Sequence, residues 1–171
     1  MQKTGWLLYG FATFFISLFG YIYYTYETAR SEIMAGIDSK LLNAAVSVNH
    51  ILGKDYHNQV NAGIPISSAV YKQKMRALSE YAKQMDLAYV YSMVLRDDTV
   101  FFSASSYTQK DQNGGRITQF MDPYTEATKI NKDAFFSTEP VFEVSKDQWG
   151  HFKSIFVTFI DENGHTYLTG A

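Results

Sequence analysis

The sequence predicts an α+β protein in which an N-terminal transmembrane helix continues into a long amphipathic helix, followed by a five-stranded antiparallel sheet with flanking helices. Three observations carry this reading. No charged residue lies between Lys3 and Glu27. Apolar residues then recur at steps of three and four from Ile33 to Leu52. After Asp86 the pattern changes to short runs rich in β-branched and aromatic residues, separated by polar and glycine-bearing turns.

The first helix begins with the uncharged run Gly5 to Tyr26. A helix rising about 1.5 Å per residue needs roughly 20 apolar residues to cross a hydrocarbon core of about 30 Å, and this run is that long. Trp6 and Tyr9 mark one end and Tyr21, Tyr23, Tyr24 and Tyr26 the other, as expected for rings that settle at headgroup level. A cleaved secretory signal has a shorter apolar core and a small-x-small cleavage site; here the run ends in tyrosines, with no Ala-x-Ala before Glu27. Lys3 and the free N-terminus favour residues 1–4 in the cytoplasm, residues 5–26 as an uncleaved anchor and residues 27–171 outside.

Composition narrows what the external part can be. With no cysteine among 171 residues there are no disulfides, thiolate nucleophiles or zinc-thiolate sites, so a hydrophobic core must hold the fold. A net charge of −2 argues against a nucleic-acid-binding surface. The residues after Tyr26 suffice for one ordinary domain.

The positions Ile33, Ile37, Leu41, Ala45, Val48 and Leu52 form one stripe of a helix, with no breaker between Glu27 and Glu32. Gly53 closes it, and Asn61 to Pro65 is a loop. Ser67 or Ser68 caps a second helix running to about Asp86. Tyr89–Leu95 and Thr99–Ser105 read as two strands joined at Arg96-Asp97-Asp98. Gln109 to Arg116 is a polar loop, and Asp122-Pro123 reads as an N-cap and first position of a short helix, Tyr124 to Ile130. Three strands follow, about Val141–Ser145, Phe152–Ile160 and Thr166–Thr169, with Asn163-Gly164 as a hairpin signal in the last turn. The expected sheet is antiparallel, with helices on one side.

Familiar catalytic patterns are missing. His50 and His57 are separated by Gly53 and lack an acidic set to complete a metal site. Ser103, Ser105 and Ser106 lack the Gly-x-Ser-x-Gly elbow of a hydrolase, and Asn113-Gly114-Gly115 lacks the lysine of a phosphate loop. No metal and no cofactor is expected. What remains is a concentration of rings and polar groups on the predicted sheet, including Tyr91, Ser103, Ser105, Tyr124, Trp149 and Lys153. Small-ligand pockets combine an apolar wall with a few polar anchors, and a lysine among aromatics suits an anion such as a carboxylate. The same rings also suit a core, and for Tyr91 that is the simpler reading.

Several segments resemble, in order, the extracytoplasmic single Cache (PAS-like) sensor domains of bacterial transmembrane receptors. They are Gly53 to His57, Leu87 to Ser92, Val100 to Ser106, Phe120 to Tyr124 with Ala127, Asp147 to Ser154, and Asn163 to Tyr167. The resemblance covers roughly Ala29 to the end, and Asp147-Gln148-Trp149-Gly150-His151-Phe152-Lys153-Ser154 is its most specific part. It implies a five-stranded PAS-like sheet and a small-molecule pocket on the face away from the long helix. It also implies that Trp149, Lys153 and Ser154 lie in a Trp-Gly motif and Tyr124 in an Asp-Pro-Tyr motif, with Ser103 and Ser105 on the second strand. Lysine stands where such domains commonly have arginine, so a two-pronged carboxylate clamp is not expected from Lys153.

The expected function follows from the resemblance: a non-enzymatic, ligand-sensing input domain in the periplasm or outside the cell, anchored in a bacterial inner membrane and feeding a kinase, chemoreceptor or diguanylate cyclase output. Its partners are a small, anionic ligand, the membrane and a second copy of the chain, with the stripe Ile33 to Leu52 as the seam. The sequence ends without a second span, so a fragment cut before that span and the output module is expected. The alternative is a membrane-anchored protein-interaction module with no small-molecule ligand.

Overall fold

The computed structural model describes residues 2–147 and 150–171, with side chains throughout except at 2–5, 7, 8 and 147. Contacts divide the chain into two compact units, residues 1–39 and 40–171. Helix α1 (Gln2–Leu52) begins in the first and ends in the second.

In the first unit, every residue from Tyr9 to Tyr26 is exposed. Among the described residues no helix is long and apolar enough to cross a membrane. Leu7 and Leu8, two of the most apolar positions of the expected span, have side chains outside the described set, and four tyrosines dilute its other end. The stripe that reads as one seam has two fates. Ile33 is 64% exposed and Ile37 39%, whereas Leu41, Ala45, Val48 and Leu52 are buried in the core of the second unit. A seam extending to Leu52 is therefore corrected: those side chains are already consumed by intrachain packing.

Gly53, at φ +83°, ends α1 where a side chain would be strained, and a short helix unforeseen in the sequence, α2 (Lys54–Asn61), starts at once. Helix α3 (Ser68–Gln84) is capped by Ser67, whose hydroxyl accepts the Val70 amide.

The sheet comprises β1 (Tyr91–Arg96), β2 (Thr99–Ser105), β3 (Asp122–Pro123), β4 (Val141–Asp147), β5 (Gly150–Ile160) and β6 (Thr166–Gly170). Their order is β3-β2-β1-β6-β5-β4, with every neighbouring pair antiparallel. Asp97 and Asp98, at φ +47° and +61°, make the two-residue turn between β1 and β2.

The sixth strand corrects the expected short helix at Tyr124 to Ile130. Asp122-Pro123 pairs with Phe102 and Phe101 at the sheet's edge, where a residue without an N–H is tolerated. The Asp122 carboxylate accepts the amide of Gln119, which precedes it, and so caps no helix. The helix in this region is α5 (Lys129–Ala134), started by the Thr128 hydroxyl, which accepts from the Asn131 amide. Inside the expected polar loop, α4 (Gln109–Asn113) is held by a reciprocal cap between Thr108 and Asp111.

Consecutive strand residues face opposite sides, so the sheet separates two cores. Val94, Ala104, Ile155 and Tyr167 pack with α1, α2 and α3 on one face. Met93, Val100, Phe156 and Leu168 pack with Ala134 and Phe135 of α5 and its C-cap on the other. Helices therefore lie on both faces, not on one: the long ones cover the first, and α5 covers only part of the second.

Candidate functional site

The uncovered part of the second face holds a cavity of about 210 Å³, at the end of the sheet where β1 begins and β2 and β6 end. Its floor follows from strand register. Tyr91 pairs with Ser105 and with Gly170, and Phe156 also pairs with Gly170. A Cβ built on Gly170 would lie 2.3 Å from the Tyr91 ring, so only glycine leaves room for that ring against β6. Tyr91 meets Phe102 edge-on at 6.0 Å, and Phe102 meets Tyr124 at 5.2 Å. Across the cavity, Tyr89 meets Phe152 edge-on at 5.8 Å.

Of the six residues singled out by sequence, Tyr91, Ser105, Tyr124 and Lys153 line this cavity, as does Ser154. Trp149 lies outside the described residues. Ser103 does not join them, and the reason is a β-bulge. Ser92 pairs with Ala104 and Met93 with Phe102, which leaves Ser103 as the extra residue on β2. Two serines that simple alternation would put on one face are thereby split between the two.

The cavity's polar wall was not legible as such in the sequence. Asp111, only 2% exposed, accepts the Thr108 hydroxyl and amide and the Tyr89 hydroxyl on Oδ2, and its Oδ1 lies 4.0 Å from Arg116. Burial pushes the Asp111 carboxyl up, but the Thr108 and Tyr89 hydrogen bonds and the Arg116 charge outweigh it and hold the group below the usual carboxylate range. Burial and the bond to Asp111 push the Tyr89 phenol up to about 12. At neutral pH the pair is therefore a charged acceptor and a protonated donor. The available signal was Thr108-x-x-Asp111, a helix-cap spacing inside a segment that reads as loop. Lys153 borders the cavity between Phe152 and Ser154, but alternation along β5 turns its side chain to the other face, where its ammonium stands 5.4 Å from the centroid of the Phe142 ring.

Ser103 belongs to a second polar group, buried between α2 and the sheet. His57 Nε2 is 2.6 Å from Ser92 Oγ, and Ser103 Oγ is 3.0 Å from Ser92 Oγ. The Ser92 proton goes to the Leu168 carbonyl. Nε2–H must then be the donor to Ser92, which leaves Nδ1 a bare acceptor, buried and without a partner. The imidazole stacks on Tyr167 at 3.6 Å, and burial lowers its pKa to about 3 despite the opposing pull of Asp161. This is a neutral histidine that ties α2 to the sheet. Among the described residues no group of histidine and acidic side chains could hold a metal ion.

What the arrangement can do chemically is bind. Its interior consists of rings and hydroxyls, its charges lie on the walls, and Ser92 and Ser103, the serines that contact a histidine, are sealed on the other face. No protein-family model matches the sequence, and no curated protein matches it.

Proposed function

We propose that the chain is the extracytoplasmic ligand-sensing input of a bacterial transmembrane receptor, and that a small molecule in the ring-lined cavity is the signal. The single observation behind this is the cavity itself. A concave space of about 210 Å³ lined by rings and a few polar groups on a sheet face has the form that small-molecule sites take. An open space among rings also favours this reading over a protein-interaction module, which has no use for it. The long N-terminal helix followed by an antiparallel sheet is compatible with the single Cache resemblance.

Membrane attachment is part of the proposal. An uncharged aromatic-rich helical run exposed from Tyr9 to Tyr26 is unfavourable in water, whereas lipid would cover it. We assign residues 5–26 to the inner membrane and residues 27–171 to the outside, with the cavity in that outer part. The exposed positions Ile33 and Ile37 are the proposed contact with a second copy. Ligand can shift the pair of helices only by its differential affinity for two arrangements, so the receptor needs both to be accessible. The role is binding without catalysis, passed on to a cytoplasmic output.

The test is a thermal-shift screen of the full chain in nanodiscs against organic acids, amino acids and amines. A ligand of the native state raises the midpoint with concentration. A screen in which no compound moves it removes the small-molecule reading and leaves the interaction module.

A further inference from the structure

We infer that the cavity takes a small organic cation, a primary amine with a short aliphatic body, whose ammonium is met by the carboxylate of Glu143. This rests on the sensing reading and narrows its ligand class.

The placement of Glu143 is the first reason. On β4, Val141, Glu143 and Ser145 turn to one face, opposite Phe156, Ser154 and Phe152 of β5. Ser145, Phe152, Ser154 and Phe156 line the cavity. Glu143 therefore leaves its strand on the cavity side, with a lining residue two along on β4 and another directly across on β5. The residue is only 8% exposed, and among the described residues no hydrogen bond or ion pair holds its carboxylate. A charge taken out of water without a partner costs free energy, and a cation brought in from outside offsets that cost.

The balance of charge is the second reason. Asp86 and Asp111 are the acidic residues of the lining, and Glu143 adds a third carboxylate beside it. Against them stands Arg116, whose guanidinium is 4.0 Å from Asp111 and already answers that charge. Lys153 does not enter the balance, because its side chain lies with Phe142 on the other face. The lysine that made an anion attractive in the sequence thus does not meet the guest, and an anion here would face the unpaired Glu143.

Hydrogen bonding and size are the third. An ammonium has three donors, and the Glu143 carboxylate with the Ser145 and Ser154 hydroxyls supplies three acceptors at adjacent positions of one wall. Met93, Phe102, Phe152 and Phe156 give the rest of the guest an apolar lining that an alkyl chain can touch without stacking. A cavity of about 150 Å³ accepts benzene, so about 210 Å³ holds a four-carbon chain with its ammonium.

The experiment is calorimetric titration of the full chain in nanodiscs with butylamine, butanoate and 1-butanol, heats to empty nanodiscs subtracted, repeated on Glu143→Gln. The three probes share one body and differ in charge. Expected is butylamine binding about tenfold or more tighter than the other two, weakened at least about fivefold by Glu143→Gln. The substitution keeps the side chain's size and removes a charge that the fold does not pair, so the unliganded variant should melt at the same temperature or higher. A lower melting temperature would show that Glu143 is paired within the fold, and overturns the inference. Butanoate or 1-butanol binding as tightly as the amine overturns it too and leaves the sensing reading standing, as does an amine indifferent to Glu143→Gln. Binding of none of the three overturns it as well, while the broader screen above decides the sensing reading separately.

Discussion

Tyr91 and Gly170 are built around each other. The ring on β1 occupies the space that a Cβ on β6 would need, 2.3 Å from one ring carbon and 2.7 Å from the next. The same ring forms the floor of the cavity, so β6 and the candidate site share one side chain.

Gly170→Ala is therefore expected to destabilise the domain by about 1–3 kcal/mol, the usual range for overpacking. The Ile155 carbonyl, 2.9 Å from the same Cβ position, limits relief by movement of the ring. Combining Gly170→Ala with Tyr91→Ala should leave the protein more stable than the sum of the single effects requires, because the clash disappears. Urea unfolding of the four proteins measures this, and strict additivity would show that the ring and the strand are not coupled.

Stability should fall as pH drops below about 6.5, through His57. Its folded-state pKa is lowered from 6.5 to about 3 by burial, so the native state keeps it neutral while the unfolded chain takes a proton. The sign is then fixed: the contribution is complete above 6.5 and is lost at about 1.4 kcal/mol per pH unit on the way down to about 3. Asp111 and Asp161, held below the usual carboxylate range, add their own losses only at lower pH. His57→Gln should be less stable at pH 7 but show a flatter dependence between pH 6.5 and 5. Equal slopes for the two proteins would mean that His57 is protonated without penalty.

Ser103 and Ser105 should separate in function although they stand two apart. Ser103→Ala loses its hydrogen bond to Ser92, for about 1 kcal/mol of stability, and leaves ligand affinity unchanged. Ser105→Leu intrudes into the cavity and weakens binding. Titration of both variants with the best ligand of the screen distinguishes them, and a loss of affinity in Ser103→Ala would contradict the bulge.

Cysteines placed along α1 should cross-link between copies at positions 33 and 37 in membranes, and not at 45, 48 or 52. The first two side chains are exposed, while Ala45, Val48 and Leu52 are inside the copy's own core. Cross-linking at 48 as efficient as at 33 would mean that the domain opens in the dimer, and none at 33 or 37 would remove the proposed contact.

Local chemistry made some of this legible in the sequence. Ser67 caps α3 because a hydroxyl before an apolar-periodic run does so wherever it occurs, and Gly53 ends α1 for a backbone reason that needs no partner. The stripe on α1 was visible, but the sequence held no sign of where it passes from exposed to buried between Ile37 and Leu41. That boundary depends on what packs against the helix. Asp122-Pro123 has the chemistry of a helix start and becomes a strand because β2 offers it an edge. The bulge at Ser103 is likewise a property of a strand pair and not of one strand, so nothing along β2 alone shows that Ser103 and Ser105 lie on opposite faces. At the site, Tyr91, Ser105, Tyr124 and Lys153 could be gathered because rings and a lysine on strands are conspicuous. Asp111 could not, because its role depends on Thr108 and Tyr89 closing around it.

The most direct measurement is the ligand-induced thermal shift of the full chain in nanodiscs, unaltered and as Ser154→Phe, which fills the cavity from β5. The expected result is a concentration-dependent rise in melting temperature that the cavity-filling substitution abolishes while the unliganded variant still melts cooperatively. An equal rise in Ser154→Phe would contradict the assignment, because the ligand would then bind elsewhere.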